Sequence, residues 1–291
     1  MRLVPIFLFK VTGTVFDITV VYLAYYGLTE PPFDITPNPR FLFFSPKHRE
    51  AFNHLLYGVR ARKGFVQLTG EIGAGKTTIC RAMLEQLGGQ FATALVLNPV
   101  LDLNQLVHAV AMEFGLLVKG LDRLETVAAL NQFLLSQVGK GKDSVLIIDE
   151  AQGLTNELLE QVRLLSNLET DERKLLQIVL LGQPELRDRL NDPQLRQLRQ
   201  RITVRYHLGA LSRAEVGQYI QHRLQVSGSK GGPYFTKGAL WRIYRYSSGI
   251  PRLVNAVCDK SLLAGFVQQT DQIDYHAVGK AVRELEGKVA I

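Results

Sequence analysis

The chain has 291 residues, of which 46% are hydrophobic and 21% charged, as in an ordinary globular protein with one large and one small domain. Its two cysteines exclude a disulfide framework and fit a reducing compartment. The formal net charge of +7 is concentrated between Arg187 and Lys260, where fourteen Lys and Arg stand against four Asp and Glu. This charge favours phosphate, acidic lipid or nucleic acid as ligands, although dispersed arginines on a solvated surface explain it more simply.

The stretch from Leu3 to Val21 is apolar, but it lacks the pattern of a membrane helix. Lys10 and Asp17 lie near its middle, and they offset most of the favourable transfer free energy of the apolar side chains. No small-residue cleavage site follows, which disfavours a signal peptide. We therefore expect no membrane-spanning segment and leave residues 1–25 as an unassigned N-terminal extension, with a natural start near Val21 as one alternative.

Short apolar runs alternate with longer amphipathic segments between residues 26 and 210. Nearly continuous apolar strands flanked by helices predict an α/β core, with a parallel sheet sandwiched by helices. The predicted strands are Phe65–Thr69, Thr93–Leu97, Ser144–Asp149, Leu176–Leu181 and Thr203–Tyr206. The predicted helices of this part include residues 46–57, 104–114 and 125–138.

The strand pattern stops at about residue 210. Ser212 and Glu215 have the spacing of a capping box, which predicts a helix that runs toward Val226. Helical patterns continue over residues 236–246, 251–268 and 274–286. We therefore predict a small all-helical domain at residues 211–291.

A phosphate-binding loop follows the first predicted strand. Its residues fit the pattern GxxxxGK[ST], and a helical pattern comes directly after them, which is the context that this motif requires. Glycines let the backbone N–H groups curl around phosphates, and the start of the helix adds a positive end. We expect Lys76 to reach the β- and γ-phosphates of ATP and the Thr77 hydroxyl to bind Mg²⁺. The predicted nucleotide-binding residues are Gly70, Glu71, Ile72, Gly73, Ala74, Gly75, Lys76, Thr77 and Thr78.

Two consecutive acids, Asp149 and Glu150, end the third predicted strand. The carboxyl edge of a parallel sheet is where ligands bind in open α/β folds. Because the pair follows a phosphate-binding loop, we expect Asp149 to hold Mg²⁺ and Glu150 to orient and polarise the attacking water. The two motifs together predict a Mg²⁺-dependent ATP hydrolase.

The order of these parts resembles the AAA+ ATPases: phosphate-loop strand, Asp-Glu strand, strand with a polar end, arginine-bearing segment and helical lid. Further segments are similar to the general secretion pathway protein A family, the A component of type II secretion. The similarity runs from about Val21 to Glu286. These segments are Tyr26–Phe33, Pro39–Phe41, Asp149–Gln152, Leu165–Thr170, Gly182–Leu186 and Arg205–Leu208.

The resemblance implies further catalytic residues at the ends of strands. Asn98 corresponds to a polar partner that holds the catalytic glutamate inactive, although an Asn before Pro99 is also a simple turn former. Gln183 corresponds to the first sensor, which helps to position the attacking water. Many AAA+ proteins have the shorter Asn at this position.

Two arginines are also implied by the resemblance. Arg201 corresponds to an arginine finger that enters the site of a neighbouring subunit, with Arg199 and Arg196 as alternatives. Arg252, after Pro251, corresponds to the second sensor of the lid, at the start of a helix.

The family resemblance implies a homo-oligomer that remodels or assembles a partner complex in type II secretion or the cell envelope. It implies a cytoplasmic location, with a partner as the link to the inner membrane. A membrane span and a peptidoglycan-binding module commonly follow the ATPase in this family. Because the sequence ends at Ile291, after the lid, we expect a stand-alone ATPase or the ATPase part of a longer protein. The alternative is a DNA-dependent ATPase regulator of the transposition or replication type, with nucleic acid as a partner.

Overall fold

A computed structural model describes residues 18–97, 102–170 and 173–288 of the chain. Five parallel strands form the central sheet in the order β2–β3–β4–β1–β5. The first β-strand therefore lies between β4 and β5. Helical crossover connections link successive parallel strands, as in other α/β folds. The strands are β1 (Phe65–Gly70), β2 (Phe91–Val96), β3 (Asp143–Ile148), β4 (Leu176–Gly182) and β5 (Ile202–Leu208).

Helices cover both faces of this sheet. They are α2 (Pro46–Arg60), α3 (Lys76–Leu87), α4 (Leu103–Glu113), α5 (Arg123–Gly139), α6 (Asn156–Leu165), α7 (Pro184–Arg189) and α8 (Arg196–Arg201). One face carries α2 and α3, whose apolar side chains pack with Val66, Leu68 and Val179. On the other face, α4, α5 and α6 pack with Leu146 and Ile178. Because both faces are covered, the central strands β1 and β4 are buried along their whole length, and the predicted α/β class is confirmed.

The C-terminal region is helical, as predicted. Its helices are α9 (Arg213–Val226), α10 (Lys237–Ser247), α11 (Pro251–Val267) and α12 (Tyr275–Leu285). Ser212 and Glu215 form the expected capping box at the start of α9. The structure adds two short parallel strands, β6 (Tyr234–Phe235) and β7 (Gln272–Ile273), that the sequence pattern does not indicate. We propose residue 210, between β5 and α9, as the domain boundary and call residues 211–288 the lid.

The N-terminal helix α1 (Ile18–Tyr26) packs against the lid. The Tyr22 hydroxyl donates to Asp259 Oδ1 at 2.6 Å, and the Tyr26 hydroxyl donates to the Leu262 carbonyl at 2.9 Å. Further along, Leu28 and Phe33 are buried in the apolar core of the lid. The chain then crosses from the lid to α2, and we call this crossing segment, residues 28–45, the strap. Within the described residues, no helix is long and apolar enough to cross a membrane.

Candidate active site

The turn between β1 and α3 has the backbone geometry of a phosphate-binding loop. Gly73 and Gly75 have φ angles of 77° and 102°, which favour glycine. A Cβ on Gly70 would lie 2.7 Å from the Leu208 carbonyl oxygen, so only glycine fits where β1 leaves the sheet. The long helix α3 then begins at Lys76, and its unpaired N–H groups make the turn suited to an anion.

Lys76 lies inside this turn, with 5% of its surface exposed. Its ammonium group donates to the carbonyl oxygens of Gly70, at 2.8 Å, and Glu71, at 3.0 Å. Burial lowers the pKa of Lys76, while the negative charges of Glu150 and Asp149 oppose the change. The ammonium group is thus held at the phosphate-binding turn by the backbone of the turn itself.

Thr77 and Asp149 meet at the carboxyl edge of the sheet. The Thr77 hydroxyl donates to Asp149 Oδ2 at 2.5 Å, and Asp149 Oδ1 accepts the Glu150 N–H at 2.9 Å. Asp149 is 4% exposed. A hydroxyl oxygen and a carboxylate oxygen this close together, beside a phosphate-binding turn, are ligands of the kind that Mg²⁺ takes. The residues therefore fit a Mg²⁺ site.

Glu150 adopts an unusual backbone conformation directly after β3, with a φ of 51°. Its Oε2 accepts hydrogen bonds from Gln152 Nε2, at 2.5 Å, and from Gln183 Nε2, at 3.1 Å. Burial favours the neutral acid, but these two hydrogen bonds and the charge of Lys76 outweigh it and lower the pKa of Glu150. The carboxylate is therefore ionised at neutral pH.

A cleft of about 310 Å³ lies between the phosphate-binding turn and the lid. Its lining includes Glu150 and most of the predicted nucleotide-binding residues. The strap forms another wall of the cleft, which the sequence analysis does not predict. The residues of the strap in this wall are Asp34, Ile35, Thr36, Pro37, Asn38, Phe41, Leu42 and Phe43.

A buried arginine of the lid holds the strap in place. The Arg223 guanidinium, 7% exposed, donates to the carbonyl oxygens of Pro32 and, at 3.1 Å, of Asp34. It also lies over the Phe41 ring, 4.7 Å from the centroid. The Asn255 amide donates to the same Asp34 carbonyl at 3.2 Å. The wall of the cleft is therefore fixed by lid residues that no motif of the sequence indicates.

His48 also contacts the phosphate-binding turn, from α2. Its Nε2 lies 3.1 Å from the Ala74 carbonyl oxygen, and its Nδ1 lies 2.7 Å from Ser45 Oγ. A carbonyl can only accept, so Nε2 carries a proton and donates to Ala74. This buried histidine supports the turn and also lines the cleft, and no sequence motif points to it.

Arg252, the predicted second sensor, lies where the lid meets the turn. Its backbone N–H donates to the Gly73 carbonyl at 3.2 Å, and Pro251 occupies the first position of α11. A Cβ on Gly73 would overlap the side chain of Arg252. Arg252 lines the cleft. The start of α11 therefore contacts the phosphate-binding turn directly.

The three candidate arginine fingers lie outside the lining of the cleft. Arg201 donates to Ser166 Oγ at 2.7 Å and to Asn167 Oδ1 at 2.5 Å, while Arg196 is exposed. Among the described residues that line the cleft, none of the three candidates, including Arg199, is present. The predicted polar partner Asn98 lies outside the described residues.

The chain is similar to a known domain family and to a curated protein. A family model described as an AAA domain matches residues 59–190. General secretion pathway protein A of Aeromonas hydrophila is 47% identical over 268 residues, which are 92% of this chain and 49% of the relative. The chain thus spans about half the length of the curated relative that it matches.

Solved structures with a similar fold include ORC proteins and Cdc6p. Cdc6p from Pyrobaculum aerophilum has a TM-score of 0.69 at 18% identity, over 87% of this chain and 70% of that one. ORC2 of Aeropyrum pernix, solved as ADPNP–ADP complexes, has a TM-score of 0.66 at 17% identity, over 88% and 71%. Drosophila ORC bound to DNA has a TM-score of 0.64 at 15% identity, over 98% and 71%. At such identities the likeness shows the fold alone.

The secretion-family resemblance predicted from the sequence is thus confirmed over nearly the whole chain. The chain belongs to the AAA ATPases and is a homologue of general secretion pathway protein A.

Proposed function

We propose that this chain hydrolyses the bond between the β- and γ-phosphates of ATP in a Mg²⁺-dependent reaction. The observation that carries the proposal is the meeting of Thr77, Asp149 and Glu150 beside the phosphate-binding turn. Glu150 is ionised and held by two amide groups, as a residue that polarises a water molecule must be.

Each residue has a separate role in this proposal. Lys76 leaves the carbonyls of its own turn to bind the β- and γ-phosphates, and Thr77 and Asp149 hold Mg²⁺. The metal would neutralise charge on the phosphates of the substrate. Glu150 orients the attacking water and accepts its proton. Arg252, at the start of α11, moves with the lid toward the γ-phosphate as the second sensor.

We further propose that the protein works as a homo-oligomer in which one of Arg201, Arg199 and Arg196 reaches a neighbouring site. The support comes from the position of the three arginines, none of which lines the cleft of its own chain. Because an arginine finger must approach phosphate, any of them would have to act on the cleft of a neighbouring subunit. Arg201 is the first choice by the family resemblance. Its hydrogen bonds to Ser166 and Asn167 would then have to be exchanged for the contact with the neighbour.

The proposed biological role is to remodel or assemble a partner complex of type II secretion or the cell envelope, from the cytoplasmic side of the inner membrane. The 47% identity to general secretion pathway protein A supports it. A second candidate is a DNA-dependent ATPase, which the net charge of +7 favours.

One experiment separates the two roles. The ATPase rate per subunit is measured against protein concentration, with and without duplex DNA, at low and moderate salt. A rate that rises with concentration and ignores DNA supports the self-assembling secretion type. Stimulation by DNA that fades steeply with salt supports the DNA-dependent type, because phosphate contacts are lost as salt rises.

The hydrolysis itself is tested with Glu150→Gln. The variant should bind ATP normally and turn it over about 100-fold more slowly, because the amide cannot accept a proton from water. The control is Glu157→Gln, an exposed glutamate at the start of α6. If Glu150→Gln hydrolyses ATP at the wild-type rate, Glu150 is not the base.

A further inference from the structure

Gln152 is the residue that links Glu150 to the end of β4. It lies in a single turn of 3₁₀ helix, Ala151–Gly153, that follows directly after Glu150. Its amide nitrogen donates to Glu150 Oε2 at 2.5 Å, and its amide oxygen accepts the backbone N–H of Gln183 at 3.0 Å. One side chain thus holds the proposed base and the backbone at the end of a neighbouring strand.

A second hydrogen bond closes this link into a ring. The side-chain amide of Gln183 donates to the same oxygen, Glu150 Oε2, at 3.1 Å. The ring contains the Glu150 carboxylate, the Gln152 amide, and the backbone and side chain of Gln183. Because both amides donate to Oε2, they hold this carboxylate oxygen in one position.

The backbone around the ring is shaped to admit Gln152. Gly182 precedes Gln183, and a Cβ at this position would lie 3.1 Å from Gln152 Oε1 and 2.7 Å from a methyl group of Leu186. Glu150 itself is in the left-handed region, with a φ of 51°, which turns the chain so that Gln152 points back to it. Ala151, between them, is fully buried.

We propose that Gln152 is a positioning residue for hydrolysis, which holds Glu150 in the orientation that accepts a proton from water and couples it to the end of β4. Gln183, the expected first sensor, contacts the base directly and shares this task. The proposal rests on the proposed function, because it requires Glu150 to act as the base. It assigns to Gln152 an effect on turnover, with no part in binding the nucleotide.

The test compares Gln152→Ala and Gln152→Glu in the full chain. The glutamate variant is nearly isosteric and keeps an oxygen to accept the Gln183 N–H, but it removes the donor to Glu150. We expect kcat to fall about tenfold to hundredfold in both variants, since misdirected catalytic groups lose rate on this scale. The KM and the affinity for a fluorescent ATP analogue should stay near the wild-type values. Gln90→Ala, an exposed glutamine at the opposite edge of the sheet, is the matched control.

A double variant shows whether Gln152 acts through Glu150. If it does, Glu150→Gln with Gln152→Ala hydrolyses ATP no more slowly than Glu150→Gln alone. An unchanged or raised kcat in Gln152→Glu, or a further loss in the double variant, overturns the role of Gln152. If Glu150→Gln alone keeps full turnover, the proposed function fails instead. Melting temperatures identify a variant that is merely unfolded, and the isosteric Gln152→Glu then decides.

Discussion

Lys76 is the residue whose side chain is most closely enclosed by the phosphate-binding turn. Two carbonyl oxygens of the turn accept from its ammonium group, and burial lowers its pKa. A lysine held in this way needs no rearrangement of the backbone to meet a phosphate, because the carbonyls that it leaves belong to the same loop. Its side chain is therefore preorganised for the ligand.

Lys76→Ala should abolish tight ATP binding, with a loss of at least about tenfold in affinity, since a buried charge contact to phosphate is removed. Titration with a fluorescent ATP analogue measures this loss. Lys119→Ala, in the exposed loop between α4 and α5, is the control. Equal affinities of the wild type and Lys76→Ala would contradict the nucleotide-binding assignment of the turn.

His48 makes stability depend on pH. Burial lowers its pKa below the ordinary value of 6.5; the Ala74 hydrogen bond and Glu215 act in the opposite direction, and Lys47 lowers it further. The unfolded chain therefore binds a proton at a pH where the folded chain does not. Stability is fully present above pH 6.5 and is lost as the pH falls from there toward the folded pKa.

Melting temperatures between pH 7.5 and pH 5 measure this loss. His48→Gln should flatten the decline on the acid side, because the group that takes up the proton is gone. His222 also has a pKa lowered by burial, so some slope should remain. His54→Gln, on the exposed side of the same helix, serves as the control. A His48→Gln curve parallel to that of the wild type would show that His48 does not carry the dependence.

At the scale of elements, the sequence predicts well what is determined locally. The five strands of the sheet were predicted to within about two residues at their ends. Strands β1 to β4 are short runs rich in apolar residues, and β5 alternates between buried and exposed residues, which are both patterns typical of strands. Capping residues such as Ser212 indicate where helices begin. The short pair β6 and β7 has two residues in each strand, which is too short for any periodicity.

In the candidate site, too, the sequence predicts the residues of contiguous motifs and misses those that only the fold brings together. The phosphate-binding turn and the acidic pair were predicted because each is a contiguous motif. The strap was not, since Arg223 holds Pro32 and Asp34 across about 190 residues of sequence. His48 and Gln152 were also missed as parts of the site, because each acts through a carbonyl or amide contact that leaves no pattern in the sequence.

The first residue of the lid makes a close backbone contact with the segment that precedes α11. The Leu211 N–H, just after β5, donates to the Gly249 carbonyl at 3.0 Å. Gly249 has a φ of 78°, and a Cβ there would overlap the Leu211 carbonyl oxygen. The segment after Gly249 leads to Arg252 at the phosphate-binding turn, so this contact sets where α11 begins relative to the nucleotide cleft.

Gly249→Ala should destabilise the protein by about 2–4 kcal/mol, from left-handed strain and from the overlap together. Gly120→Ala separates the two causes: its φ is 86°, but nothing lies within 4 Å of the added Cβ. That control should lose only about 1–2 kcal/mol. Urea unfolding measures both values. Equal losses in the two variants would show that the Leu211 contact contributes nothing.

For the whole molecule, the open question is whether the site is completed by a second copy of the chain. The cleft of one chain contains Lys76, Glu150 and Arg252, whereas Arg196, Arg199 and Arg201 do not line it. An arginine finger from a neighbour would supply positive charge at the phosphates only in an assembly. Such an enzyme gains activity per subunit as the protein concentration rises.

Mixing two inactive variants tests this completion. Glu150→Gln and Arg201→Ala should each be nearly inactive alone, yet a mixture should recover activity where an Arg201→Ala subunit, with an intact Glu150, faces a neighbour with an intact Arg201. At equal amounts, about a quarter of the sites combine both intact partners if subunits exchange at random and each site needs one neighbour. Because Arg201 also binds Ser166 and Asn167 within its own chain, its variant must keep the wild-type melting temperature. The same mixtures with Arg199→Ala and Arg196→Ala identify the finger, and an absence of recovery in all three, at every ratio, would show that no arginine of this set acts across subunits.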